Sequence, residues 1–144
     1  MERLDVKRLH PDATLPVRAH PGDAGLDLCA VGALELPPGG RAAVRTGLAV
    51  AIAPGWAGLV VPRSGLARRH GVTVANAPGL IDAGYRGELQ VLLVNLSGEP
   101  HRVESGDRVA QLVLVPVGGC AAGWVDELPD SDGRGAGGFG STGR

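Results

Sequence analysis

Residues 48–61 read Leu48-Ala49-Val50-Ala51-Ile52-Ala53-Pro54-Gly55-Trp56-Ala57-Gly58-Leu59-Val60-Val61, and the reading of this stretch decides the fold class. Leu48, Val50 and Ile52 alternate with alanines, which is the two-residue period of a strand and not the 3.6-residue period of a helix. Pro54-Gly55 then interrupts the pattern, because proline fixes φ and removes a donor while glycine tolerates turn geometry. Leu59-Val60-Val61 resumes an extended, β-branched run. The two runs are expected to form a β-hairpin.

The same grammar extends outward in both directions. The 24 glycines and 11 prolines punctuate the chain at intervals of roughly ten residues, the spacing of an all-β domain. Leu89, Val91 and Leu93 alternate with Gln90 and Leu92, and Val109, Gln111, Val113 and Val115 fall on one face of another run. Both read as central strands of a barrel or sandwich. One short helix is expected, with Ser64 as N-cap, about two turns over residues 65–70 and Gly71 in the left-handed position beyond. Residues 1–130 are expected to form one β domain, whereas the glycine-rich segment 131–144 lacks the apolar surface to order itself.

Composition narrows the function. The apolar residues are mostly Val, Leu and Ala, with Trp56, Tyr85, Trp124 and Phe139 as the aromatic ones, so the core is small and gains from oligomerisation. A net charge of −1 with scattered arginines argues against binding long nucleic acid by counterion release. Cys29 and Cys120 have no metal-ligand spacing and read as two reduced thiols. The charged start Met1-Glu2-Arg3-Leu4-Asp5 and the absence of a long apolar run lead to the expectation of a cytoplasmic protein without a membrane segment.

Five stretches could carry chemistry. Pro62-Arg63-Ser64-Gly65 stands where a strand enters the short helix, bringing a guanidinium, a hydroxyl and free N–H groups to one place. That set suits a phosphate chain, or Ser64 simply caps the helix and Arg63 is solvated. In Gly79-Leu80-Ile81-Asp82-Ala83-Gly84-Tyr85-Arg86-Gly87-Glu88 an Asp and a Tyr three residues apart can face one pocket, as base and sugar platform; an Asx-turn with a rim tyrosine is the plainer alternative. Ala24-Gly25-Leu26-Asp27-Leu28 looks like a glycine turn before an acidic residue in an apolar strand, where Asp27 either holds metal-bound water or forms an internal salt bridge. In Gly106-Asp107-Arg108-Val109-Ala110-Gln111, the neutral polar Gln111 needs hydrogen-bond partners from the protein or from a ligand. The tail is no P-loop, since it lacks the Lys-Ser/Thr ending, yet its Arg134 and Phe139 are residue types that grip phosphate and stack on a base.

Together AGLDLCA (24–30), PRSGLA (62–67), GLIDAGYRGEL (79–89), GDRVAQLV (106–113) and RGAGGFGSTG (134–143) resemble the five motifs of trimeric dUTPases, in the same order and with similar spacing. The resemblance implies a jelly-roll-like β fold assembled as a homotrimer, with three active sites between subunits. It implies hydrolysis of dUTP to dUMP and pyrophosphate, which keeps uracil out of DNA and supplies dUMP for thymidylate synthesis. By the same resemblance Asp82 is the base for water attacking the α-phosphorus. Arg63, Ser64, Gly65 and Gln111 contact the phosphates, and Mg²⁺ is held mainly by phosphates and water, with Asp27 acting through a water. Uracil is read by a hairpin around Leu80, Ile81 and Gln90 with help from Asn76, and Tyr85 packs beneath the deoxyribose. The tail closes as a lid through Arg134, Phe139, Gly140 and Ser141.

The rival readings are weaker. A dCTP deaminase shares the resemblance in fold but lacks the Asp82/Tyr85 arrangement and the Gly-Phe-Gly tail. A bifunctional deaminase needs an acid/base glutamate near the pyrimidine, for which Glu88 is the nearby candidate. A non-catalytic regulatory module has no use for Asp82.

Overall fold

A computed structural model describes residues 3–131 and Ala136. Its described residues form eleven strands and one helix, namely β1 (Asp5–Arg8), β2 (Gly25–Cys29), β3 (Leu34–Leu36), β4 (Arg41–Arg45), β5 (Leu48–Ala51), β6 (Trp56–Pro62), α1 (Ser64–His70), β7 (Val72–Val74), β8 (Gly79–Ile81), β9 (Gln90–Asn95), β10 (His101–Val103) and β11 (Arg108–Pro116). The all-β expectation holds. Every strand pairing is antiparallel, in sheets ordered β2-β11-β6-β8, β4-β9-β7, β1-β5 and β10-β3. Sequence neighbours seldom pair, so the chain crosses repeatedly between layers in a jelly-roll-like manner.

The core lies between the two larger sheets. Leu28, Val60, Ala110 and Leu112 pack from one, Val44, Val72, Val74, Val91 and Leu93 from the other, and all are buried in a single cluster. It contains no aromatic ring, only aliphatic side chains that interdigitate tightly at small volume. Buried Asn95 ties the layers together. Its amide donates to Leu36 O (3.0 Å) and Glu99 O (2.7 Å), and its carbonyl accepts from the Ser97 N–H (2.9 Å) and hydroxyl (2.8 Å).

Residues 48–61 form two strands, as their alternation indicates, but not a hairpin. β5 pairs with β1, and β6 pairs with β11 and β8. The Pro54-Gly55 turn, closed by the Trp56 N–H to Ala53 O (3.1 Å), carries the chain from one sheet into another. Leu48, Ala49 and Val50 are all buried, so β5 is covered on both faces and its alanines are small for packing. Alternation identified the strands but not their partners.

The helix also begins differently. Arg63, extended at φ −91° and ψ 122°, is the N-cap, and no side chain caps the helix, so Ser64 is the first helical residue with its side chain exposed. Gly71 ends the helix as expected, left-handed at φ 64°, donating to Ala67 O and Leu66 O.

Candidate functional site

The nominated residues that fall within the described chain gather on two separate surfaces. The first is built at a sheet edge. Among the described residues β8 pairs only with β6, so one row of its backbone donors and acceptors remains open there. Beyond Ile81 the chain makes an irregular loop whose tip is held by the Tyr85 N–H to Asp82 O (3.0 Å) and by Arg86 donating to Ala83 O (2.6 Å) and Tyr85 O (2.7 Å). β8 and β9 belong to different sheets, so the expected hairpin around Leu80, Ile81 and Gln90 is instead this inter-sheet loop. The three residues still converge. A cavity of about 430 Å³ is lined by Asn76, Leu80, Ile81, Asp82, Tyr85 and Gln90, together with Val60, Gly79, Glu88 and Leu92, which is ample for a small ligand.

Within this cavity the groups differ in how firmly they are held. Among the described residues nothing hydrogen-bonds the exposed Asp82 carboxylate, which leaves both oxygens open to a ligand or water. Tyr85 is 43% exposed, and its hydroxyl donates to Glu88 O (3.0 Å). It lies across Gly87, where an added Cβ would come within 2.7 Å of the ring carbon bearing the hydroxyl. Gln90 follows the loop at the start of β9; the last bond from the β7 side, Ala75 N–H to Leu92 O (2.7 Å), falls short of it.

The second surface joins β2, β11 and the end of β6. Asp27 on β2 is 7% exposed. One of its oxygens accepts from Gln111 Nε2 (3.1 Å), the other from Arg108 (3.2 Å), and Arg63 Nε stands 3.9 Å away. Arg63 also donates to Arg108 O (2.9 Å). Of the two readings of Asp27, the structure contains the internal salt bridge, and Gln111 finds its partner in the protein. Gly25 is not a turn residue: it opens β2 opposite Val113, and a Cβ there would sit 3.1 Å from Gln111 Cβ and Cδ. It is glycine because Gln111 lies against it. Ser64 and Gly65 begin the helix directly beside Arg63.

Two residues have surroundings that the sequence did not reveal. Arg108 and Gln111 are three apart and would point to opposite faces of a regular strand. A β-bulge between Arg108 and Ala110 inserts one residue and turns both toward Asp27. Glu88 is the other: its carboxylate accepts from the Gly47 N–H (2.8 Å) and from Arg45 Nε (3.1 Å to each oxygen). It is an anchor and not a free acid beside the pocket. Cys29 follows Asp27 by two residues, and burial pushes its thiol pKa up, with the Asp27 charge adding to the rise. Arg134, Phe139, Gly140 and Ser141 lie outside the described residues.

Fold and surfaces define an all-β, jelly-roll-like protein with a small-molecule pocket at a sheet edge and a guanidinium–carboxylate cluster spread over β2, β11 and the end of β6. The dUTPase family model matches residues 11–143. The chain is 56% identical over 142 residues to the deoxyuridine 5'-triphosphate nucleotidohydrolase of Thermobifida fusca, covering 98% of this chain and 79% of that one. It is 48% identical to the enzyme of the same name from Wolinella succinogenes, covering 99% and 95%. The structure of the Staphylococcus bacteriophage 80alpha dUTPase with dUPNHPP superposes with a TM-score of 0.93 at 31% identity over the whole of both chains. A variant dUTPase from phage phi11 of S. aureus, described with a structural Mg(II) ion, gives 0.82 at 29% identity over 88% of this chain and 99% of that one. The chain belongs to the dUTPase family, and it is an enzyme that hydrolyses dUTP.

Proposed function

We propose that this chain cleaves dUTP into dUMP and pyrophosphate by attack of water on the α-phosphorus, with the Asp82 carboxylate as base, in sites formed between the subunits of a homotrimer. The observation that carries this reading is the convergence of Asp82, Tyr85, Asn76 and Gln90 on one cavity beside an open strand edge. The free backbone of β8 around Leu80 and Ile81, with Asn76 and Gln90 opposite, suits the alternating donors and acceptors of a uracil edge. A methyl at the thymine position or the reversed pattern of cytosine is then rejected, because a pocket that pairs polar groups leaves them unpaired with the wrong ligand. The Tyr85 ring beneath the deoxyribose collides with a 2′-hydroxyl.

The phosphates fall to the second surface. Arg63 and Gln111, together with the Ser64 hydroxyl and the exposed backbone at Ser64 and Gly65, hold phosphate oxygens by charge-assisted bonds. The base-and-sugar pocket and this cluster share no lining residue on one chain, and a small aliphatic core favours association. Both points support sites assembled from different subunits. The described residues contain no group of three His, Cys, Asp or Glu side chains placed to hold a metal ion. By the resemblance, Mg²⁺ would keep water and take its ligands mainly from the phosphates, with Asp27 acting through a water. When bound, Mg²⁺ neutralises charge developing on the leaving pyrophosphate. Asp82 orients the water and takes its proton, and positioning supplies the rest of the acceleration. By resemblance to the family's fifth motif, Arg134, Phe139, Gly140 and Ser141, which lie outside the described residues, would contact the base and the γ-phosphate. Two cysteines without a disulfide fit a cytoplasmic setting.

The test is to incubate the purified protein with dUTP, UTP, dCTP and dTTP in Mg²⁺ and identify the products. dUMP and pyrophosphate from dUTP alone is the expected result. Ammonia released from dCTP would make the chain a deaminase, an outcome the commitment of Glu88 to Gly47 and Arg45 disfavours.

A further inference from the structure

The loop from Asp82 to Leu89 has no regular secondary structure, yet it must hold an aromatic ring still enough to distinguish a hydrogen from a hydroxyl. Packing over Gly87 holds one face of the ring, but Tyr85 is 43% exposed and needs a further tether. Its one side-chain hydrogen bond among the described residues runs from the hydroxyl to the backbone oxygen of Glu88. Whatever fixes the Glu88 backbone therefore fixes the ring.

Glu88 is fixed by its own side chain. The carboxylate, 17% exposed, receives the Gly47 N–H at 2.8 Å and Arg45 Nε at 3.1 Å on each oxygen. Both donors are tied into the fold. Arg45 ends β4 opposite Gln90, so it sits at the strand register that also lines the pocket. Gly47 has φ +65°, and a Cβ there would be 2.7 Å from His10 Cβ and 3.0 Å from Ala13 Cβ, so this turn is wedged against the β1–β2 connection. The neighbouring residue closes the seam: Leu89 N–H donates to Leu48 O (2.7 Å), and Thr46 donates to Leu89 O through its hydroxyl (2.7 Å) and its N–H (3.3 Å). Gly87 completes the device, since any side chain there would occupy the space of the Tyr85 ring.

We infer that Glu88, clamped by Gly47 and Arg45, is a positioning residue for sugar selection, holding the Tyr85 ring at the height where a 2′-hydroxyl collides with it. The inference rests on the reading of Tyr85 as the deoxyribose platform. Removing the clamp lets the ring sink or swing, which admits ribose and costs packing against deoxyribose. The signature is a loss of discrimination, which a merely structural role would not move.

The experiment measures kcat/KM for dUTP and for UTP in wild type, Tyr85→Ala, Glu88→Ala, Glu88→Gln and Arg45→Met, with melting temperature recorded on the same samples. Glu88→Ala should lower the dUTP-to-UTP ratio roughly ten- to hundred-fold, the scale of a misplacement of about 1 Å. Arg45→Met, which keeps the Gly47 bond, should lower it less, and Glu88→Gln, which keeps an acceptor for Gly47, should restore most of it. Should Glu88→Ala fail to fold, Arg45→Met decides, because its substitution is at a half-exposed side chain. A collapsed ratio in Tyr85→Ala with a wild-type ratio in every folded Glu88 and Arg45 variant would overturn the clamp. An unchanged ratio in Tyr85→Ala would instead remove the reading of Tyr85 on which it stands.

Discussion

Replacing Asp27 by Asn separates an organising carboxylate from one that matters only through a metal. Asn preserves the shape and one carbonyl oxygen but presents an NH₂ where the second oxygen stood. It can satisfy Gln111 or Arg108, not both, and the remaining contact sets donor against donor. Asp27 is 7% exposed, so water does not repair the loss. The Gln111 bond, made to a charged acceptor, is worth about 1.5–3 kcal/mol. The Arg108 pair contributes less, ~0–1 kcal/mol, because the Arg108 side chain is 51% exposed and screened. Asn recovers part of the sum, which leaves a net destabilisation of about 1–3 kcal/mol. For a domain of this size that corresponds to a fall in Tm of roughly 4–10 °C. Calorimetry at one protein concentration, in EDTA and again with Mg²⁺, provides the assay, the fixed concentration being needed because association shifts Tm. The fall should be present in EDTA. An Asp27→Asn protein with wild-type Tm in EDTA would refute the claim that this carboxylate holds Arg63, Arg108 and Gln111 together.

Other expectations are simpler to check. Asp82→Asn should lower kcat by roughly two to four orders of magnitude, the range of a general base, while calorimetric binding of a non-hydrolysable dUTP analogue survives; more than a tenth of wild-type kcat would contradict the assignment. Ending the chain at Asp130 should leave Tm and oligomer mass nearly unchanged yet reduce kcat/KM by tens to thousands of fold, on the order of what closure and alignment supply, so full activity after truncation would leave the tail without a catalytic part. His101 is held below its ordinary pKa of 6.5, first by burial and then by His70, whose ring centroid is 4.8 Å away. Below about pH 6.5 the unfolded chain therefore binds this proton before the folded one, and stability falls on acidification. His101→Phe should flatten denaturation midpoints between pH 7 and pH 5, and an unaltered slope would exclude His101 as its source.

The sequence was most legible where chemistry is local. Asn76, Leu80, Ile81, Asp82, Tyr85 and Gln90, which the family resemblance points to, line one cavity, because most of them lie on a single stretch of chain whose ends are fixed by strands. Strand character at residues 48–61 and 89–93 was legible from alternation, which depends only on the period of the backbone. Partners were not. The apparent hairpin at Pro54-Gly55 is a crossover between sheets, since β5 and β6 each find better-covered neighbours far away in the chain. Ser64 has the chemistry of a cap, but the helix starts one residue earlier, and Gly25 looked like a turn until Gln111 was found lying against it. The bulge that brings Arg108 beside Gln111 changes the face of one residue without marking the sequence.

The central claim is that water attacks the α-phosphorus of dUTP. Hydrolysis in water enriched in ¹⁸O, followed by mass spectrometry of both products, addresses it directly. Cleavage as proposed places one ¹⁸O atom in dUMP and none in pyrophosphate. Label in pyrophosphate, with unlabelled dUMP, would mean attack at the β-phosphorus and would contradict the role assigned to Asp82.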